Sequence, residues 1–239
     1  MDKNALATAK QLVAQLFPDC EAALLAGSIV RGEATETSDL DLVVFYNNIM
    51  SSYRKSVMEN GWPVEIFVHS LTSYQAYFDS DCQRGRPSLP NMVAEGIVLK
   101  DNRMIESIKH EARLLLQKGP AEWSAKEAEQ KRYFLTDVLE DFLGCSNRAE
   151  ELFIANALAE QLSEFVLRIN RQWTGTSKWL VRALKRYDAE FAGRFIEAFD
   201  SYYRTAEKEE VIQLTDAVLN KHGGRVFDGF AIGKESRDQ

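Results

Sequence analysis

Apolar positions near the start of the chain recur at helical spacing. Leu6, Ala9, Leu12, Val13 and Leu16 share one face, and Pro18-Asp19 ends that helix. The period then shortens. Ala22 to Ala26 is an apolar run that stops at Gly27-Ser28, a short helix is expected over Ile29 to Gly32, and Leu40, Leu42 and Val44 then alternate with Asp39, Asp41 and Val43. This pattern predicts two short strands joined by a turn and that helix. Asn47-Asn48 breaks the second strand, and residues 50–60 read as a helix ending at Gly61. The next strand, Trp62 to His69, puts Val64, Ile66 and Val68 on one face and Glu65 on the other. Residues 70–101 read as helices and loops with a turn at Gly85-Arg86-Pro87 and a short strand at Gly96-Ile97-Val98-Leu99.

From residue 103 the period is helical and stays so. Ile105, Ile108, Ala112, Leu115 and Leu116 form one stripe, ended by Gly119-Pro120. Further helices are expected over 122–143, with Phe134, Val138 and Phe142 inward, then over 147–173, 177–187, 189–203 and 205–221. The end of the chain, from Gly223 onward, reads as an irregular tail. The expected fold class is therefore α+β, with a small sheet domain at 1–101 and an all-helical domain at 102–239, divided at Asp101-Asn102.

Composition narrows the class. The chain has 239 residues, 45% hydrophobic and 27% charged, as in an ordinary globular protein. No apolar run approaches the roughly 20 residues of a membrane span. The opening residues lack the pattern of a signal peptide, and the three scattered cysteines, Cys20, Cys82 and Cys145, form no CxxC pair, so a reducing cytoplasm is the expected location. His69, His110 and His222 are too widely separated to suggest zinc. A net charge of −7 disfavours a long nucleic-acid footprint and fits a small acceptor better.

The candidate chemistry lies in spacing. Side chains at i and i+2 of a strand share a face, so Asp39 and Asp41 project together while Leu40 and Leu42 enter a core. Adjacent carboxylates repel unless they share a cation, and hard oxygen ligands suit Mg²⁺, which completes its shell with waters and substrate phosphates. Gly27 lets backbone approach a ligand closely. Ser28 opens the following helix, where its N–H and hydroxyl could hold a phosphate.

Read from Gly27 to Leu42, the stretch GSxxRGExxxxSDLDL resembles the signature of the DNA polymerase beta-like nucleotidyltransferase superfamily. It is most similar to the small bacterial members, the aminoglycoside nucleotidyltransferases and the minimal nucleotidyltransferases of toxin–antitoxin pairs. The resemblance implies a small mixed-sheet catalytic domain that uses Mg²⁺ and ATP or another NTP. It also implies a third carboxylate on the strand that carries Glu65, acting as metal ligand or as general base. A buried charge in an apolar strand needs a partner, and the Asp39/Asp41 site could supply it. In two-domain relatives the helical domain offers a basic residue to the triphosphate across a cleft, a role that Lys178 or Arg182 could take. Arg31 could touch a phosphate, screen the two aspartates, or pair structurally.

Two features of the helical half bear on this. Ser177 or Thr176 could cap the helix that carries Lys178. Asp137, Glu140 and Asp141 share one helix face, which could meet a cationic acceptor or simply be solvated. The expected activity is transfer of AMP from ATP to a hydroxyl of a small molecule, such as an aminoglycoside-like compound, with pyrophosphate released. The alternatives are an antitoxin or regulatory partner that keeps the fold, and an enzyme that modifies a protein or tRNA. Oligomeric state, monomer or homodimer, is open.

Overall fold

The structure, a computed structural model, describes residues 3–233. It divides into two compact units, Met1–Gly119 and Pro120–Gln239. The division falls after the first helix of the helical half rather than at Asp101-Asn102.

The first unit runs α1 (Lys3–Leu16), β1 (Ala22–Ala26), α2 (Gly27–Arg31), β2 (Leu40–Tyr46), β3 (Tyr53–Glu59) and β4 (Trp62–Ser70). It continues through α3 (Tyr74–Gln83), α4 (Ser88–Glu95), β5 (Ile97–Asp101) and α5 (Ile105–Lys118). The five strands form one mixed sheet in the order β3-β4-β2-β1-β5. Only β2 and β4 pair in parallel; β1–β2, β1–β5 and β3–β4 are antiparallel.

Alternation sorts the sheet's two faces. Leu40, Leu42, Val44, Val64, Ile66 and Val68 are buried under α1. Val43 and Phe45 lie on the opposite face with Tyr74, Phe78, Leu89 and Val93 from α3 and α4. Ile105, Ile108 and Ala112 of α5 belong to this second cluster, which is why the unit extends to Gly119.

Residues 53–59 are a strand, not the expected helix. Asn60 and Gly61 both have positive φ, 50° and 79°, and Glu59 pairs with Trp62 across them. That is the two-residue hairpin turn favoured by Asn-Gly, whose twist matches that of the flanking strands. The chain leaves β2, reaches the sheet edge as β3, and turns back to place β4 between β3 and β2.

The second unit contains α6 (Ala125–Gly144), α7 (Arg148–Ile169), α8 (Lys178–Tyr187), α9 (Ala189–Thr205) and α10 (Glu209–Asn220). A capping box between Ser124 and Glu127 starts α6. Its core includes Leu139, Phe142, Leu158, Leu162, Phe165, Phe199 and Tyr202. Phe134 is 41% exposed rather than inward, because the buried stripe of α6 runs through Leu135, Thr136, Leu139 and Phe142. Residues 223–233 are turns and irregular backbone, as the sequence suggests, and the rest of the expected tail lies outside the described residues. No helix of the described residues is long and apolar enough to cross a membrane.

Candidate active site

The β2–β4 register builds the centre of the site. Asp41 stands directly beside Glu65 on the neighbouring parallel strand, and Asp39 immediately precedes β2. Oxygens of Asp39, Asp41 and Glu65 all lie within 4.8 Å of one another, and all three residues are partly buried. Three carboxylates this close repel one another. Burial, then the charges of Asp39 and Glu65, push the Asp41 carboxyl up to about 7, with Arg31 and Arg54 offsetting part of the effect. The clustered negative charge and the all-oxygen donor set fit a hard divalent cation.

Gly27 closes the site from β1. Ala26 pairs with Asp41, so the chain turns into α2 right beside that carboxylate. The φ of Gly27 is +76°, and a methyl group built there would overlap the Asp41 carboxylate. Glycine is required here on both counts. Ser28 follows, half-buried in the first turn of α2.

Arg31 is engaged within the unit. Its guanidinium bonds to Glu33 at 3.1 Å and to Glu95 of α4, and the same Glu95 oxygen accepts the Gly27 N–H at 3.3 Å. Arg31 is thus paired with Glu33 and Glu95, and its charge still reaches Asp41. Burial raises the Glu95 carboxyl above its ordinary value, and Arg31 and the Gly27 N–H oppose that rise.

Sequence reasoning missed two residues. Glu95 contacts Gly27 from 68 positions away, which no local pattern shows. Arg54 of β3 grips both oxygens of Glu65, and its guanidinium also lies 4.9 Å from the Phe67 ring centroid. Glu65 thus finds its cationic partner on the edge strand. The Asn60-Gly61 turn was the signal that could have revealed it, because a hairpin there brings 54 beside 67 and 56 beside 65.

The other sequence-derived candidates lie in the second unit. Lys178 is exposed in the first turn of α8, and Arg182 is half-buried with its guanidinium 4.7 Å from the Trp179 ring centroid. Ser177 makes no capping hydrogen bond with its side chain and adopts φ +50°, so α8 begins without the expected Ser177 cap. Asp137, Glu140 and Asp141 are exposed on α6, with Glu140 bonded to Arg225 at 2.7 Å.

Residues 6–68, from α1 to the end of the apolar run of β4, match the family model for the nucleotidyltransferase domain. The first unit thus contains a stretch similar to a nucleotidyltransferase domain. The matched stretch of this domain contains Gly27, Ser28, Asp39, Asp41 and Glu65, and it supports nucleotidyl transfer as a general activity. The crystal structure of a nucleotidyltransferase-like protein from Exiguobacterium sibiricum 255-15 aligns with 90% of this chain and 73% of that one, at 11% identity and a TM-score of 0.46. Comparison with curated proteins gives no match.

Proposed function

We propose that the protein transfers AMP from ATP to the hydroxyl of a small acceptor and releases pyrophosphate. The observation that carries this reading is the convergence of Asp39, Asp41 and Glu65 within 4.8 Å beside a glycine that no other residue can replace without displacing Asp41. In this reading Asp39 and Asp41 hold Mg²⁺, which when bound neutralises charge on the phosphates. The bare backbone at Gly27 and the Ser28 N–H and hydroxyl bind the triphosphate. Glu65 accepts the acceptor's hydroxyl proton as that oxygen forms its bond to the α-phosphorus and the bond to the pyrophosphate oxygen breaks. The proposed location of the reaction is the cytoplasm.

A second role for Glu65, as third metal ligand, is favoured by its closeness to both aspartates. Substitution by Gln separates the two roles, as set out below.

The test is transfer of α-³²P label from ATP, with Mg²⁺, to small hydroxyl compounds by the full chain. Labelled adduct and pyrophosphate in equal amounts are expected from the wild type and neither from Asp39→Asn. Labelling of the protein itself or of tRNA, with no small-molecule adduct, would overturn the proposed acceptor class. Equal turnover by Asp39→Asn would overturn the site.

A further inference from the structure

A pocket of about 360 Å³ opens on the first unit between β3, β4, α3 and α4. It is at the small end of the range for ligand sites, roughly 300–1,000 Å³. The alternation of β4 puts Glu65, Phe67 and His69 on one face, the face that carries Asp41. At about 3.3 Å per residue, Phe67 lies roughly 7 Å and His69 roughly 13 Å along the strand from Glu65. Arg54 joins the two places, because it lines the pocket while its guanidinium holds Glu65.

Strand order gives the pocket a side. Gly27 and Ser28 follow β1, on one flank of β2, and the pocket lies towards β4 and β3, on the other. The groups proposed for the triphosphate and the pocket therefore flank the three carboxylates. An acceptor hydroxyl would have to arrive from the flank opposite the triphosphate, next to Glu65.

The lining then says what fits. Phe67 supplies an aromatic wall, and His69 and Tyr77 meet edge to face with centroids 4.7 Å apart. His69 is 5% exposed and its Nδ1 is sealed from the pocket, so the ring serves as a wall. Burial pushes the imidazole down to about 4, with nearby Asp81 offsetting only part, so the ring is a neutral aromatic wall near pH 7. The charged groups of the lining are already matched. Arg54 is taken by Glu65, and Asp81 is taken by Arg84 and by the Leu89 N–H at 2.8 Å. A cationic ligand would find no uncommitted carboxylate among these lining groups.

We infer that this pocket is the acceptor subsite, and that it takes a compact, planar, uncharged hydroxyl compound packed against the aromatic walls of Phe67, His69 and Tyr77. A polycationic sugar of the aminoglycoside kind does not match it. The assignment of the bound compound as acceptor rests on the transfer reading above; the binding itself does not.

The experiment uses the full chain without nucleotide. Saturation-transfer NMR would measure binding of 4-hydroxybenzamide and adenosine as planar neutral probes, and of kanamycin and spermidine as cationic ones. At least one planar probe should bind, and neither cation should bind in a His69-dependent way. His69→Ala removes one aromatic wall, so affinity should fall roughly 2- to 12-fold, the worth of one aromatic pair. Tyr77→Ala, at a residue 45% exposed and so tolerant of change, should weaken the same probe even if the buried variant fails to fold. Asp41→Asn should leave probe binding unchanged. No binding by either planar probe, indifference to both pocket variants, or His69-dependent binding of kanamycin would overturn the inference. A probe that binds as described yet accepts no AMP would count against the transfer reading alone.

Discussion

Asp41→Asn should make the protein more stable and inactive at once. The folded Asp41 carboxyl is pushed from 3.8 up to about 7 by burial and by its two acidic neighbours. The folded value lies above the unfolded one, so the native state holds the proton more tightly. The stability this confers is complete below about pH 3.8 and is lost progressively as pH rises to about 7. A shift of about three units sets an upper bound of about 4 kcal/mol on the loss. Asp39 and Glu65 are partly solvated and screen part of it, so about 2 kcal/mol is the expected scale. Asparagine keeps the shape and removes the charge. Without divalent cation, the variant's advantage should grow with pH and level off above about 7. Urea titration, followed by hydrogen exchange of peptides covering β2, reads the unit that contains the triad. Mg²⁺ at 100 times its dissociation constant should add about 2.7 kcal/mol to the wild type and much less to the variant. A variant less stable than wild type at pH 8 without metal, or one stabilised by Mg²⁺ to the same degree, would refute the reasoning.

Three further outcomes follow from the site. Glu65→Gln should cut transfer by about 10²–10⁴-fold with ATP·Mg²⁺ affinity unchanged if Glu65 is the base; a parallel collapse of affinity in calorimetry identifies it as a metal ligand. Gly27→Ala should cost at least about 1–2 kcal/mol from its left-handed backbone alone, read as a lower urea midpoint, and should abolish Mg²⁺ stabilisation because the new methyl displaces Asp41. Ser28→Ala should weaken ATP·Mg²⁺ binding by about 1.5–3 kcal/mol, one hydrogen bond to a charged group, and an unchanged dissociation constant would place the triphosphate elsewhere.

The carboxylates were legible in the sequence because a strand writes its two faces in alternate letters. Asp39, Asp41 and Glu65 stood out as charges set against apolar neighbours, and β1, β2, β4 and β5 were legible by the same contrast. Strand β3 was not. It lies at the sheet edge with Tyr53, Arg54, Lys55, Ser56 and Met58 exposed, so burial imposed no alternation on it. Only Asn60-Gly61 marked the hairpin. The unit boundary was misplaced because α5 has an ordinary amphipathic pattern, and its apolar stripe says that it packs without saying on what. Arg54 on Glu65 and Glu95 on Gly27 are purely tertiary pairings, with no local spacing to announce them.

The side-by-side placement of Asp41 and Glu65 on the one parallel strand pair has a consequence for how the protein ages and fails. These strands are the interior of the sheet, flanked by β1 and β3, and Leu40, Leu42, Val64 and Ile66 beside the carboxylates are buried. The carboxylates are thus anchored to the part of the unit that opens last, not to a loop that can wander. Heat or denaturant cannot loosen the β2–β4 spacing gradually while the sheet stays closed. Catalytic decay of this arrangement should be abrupt, coinciding with melting of the sheet, and mild stress should leave molecules either fully competent or wholly inactive.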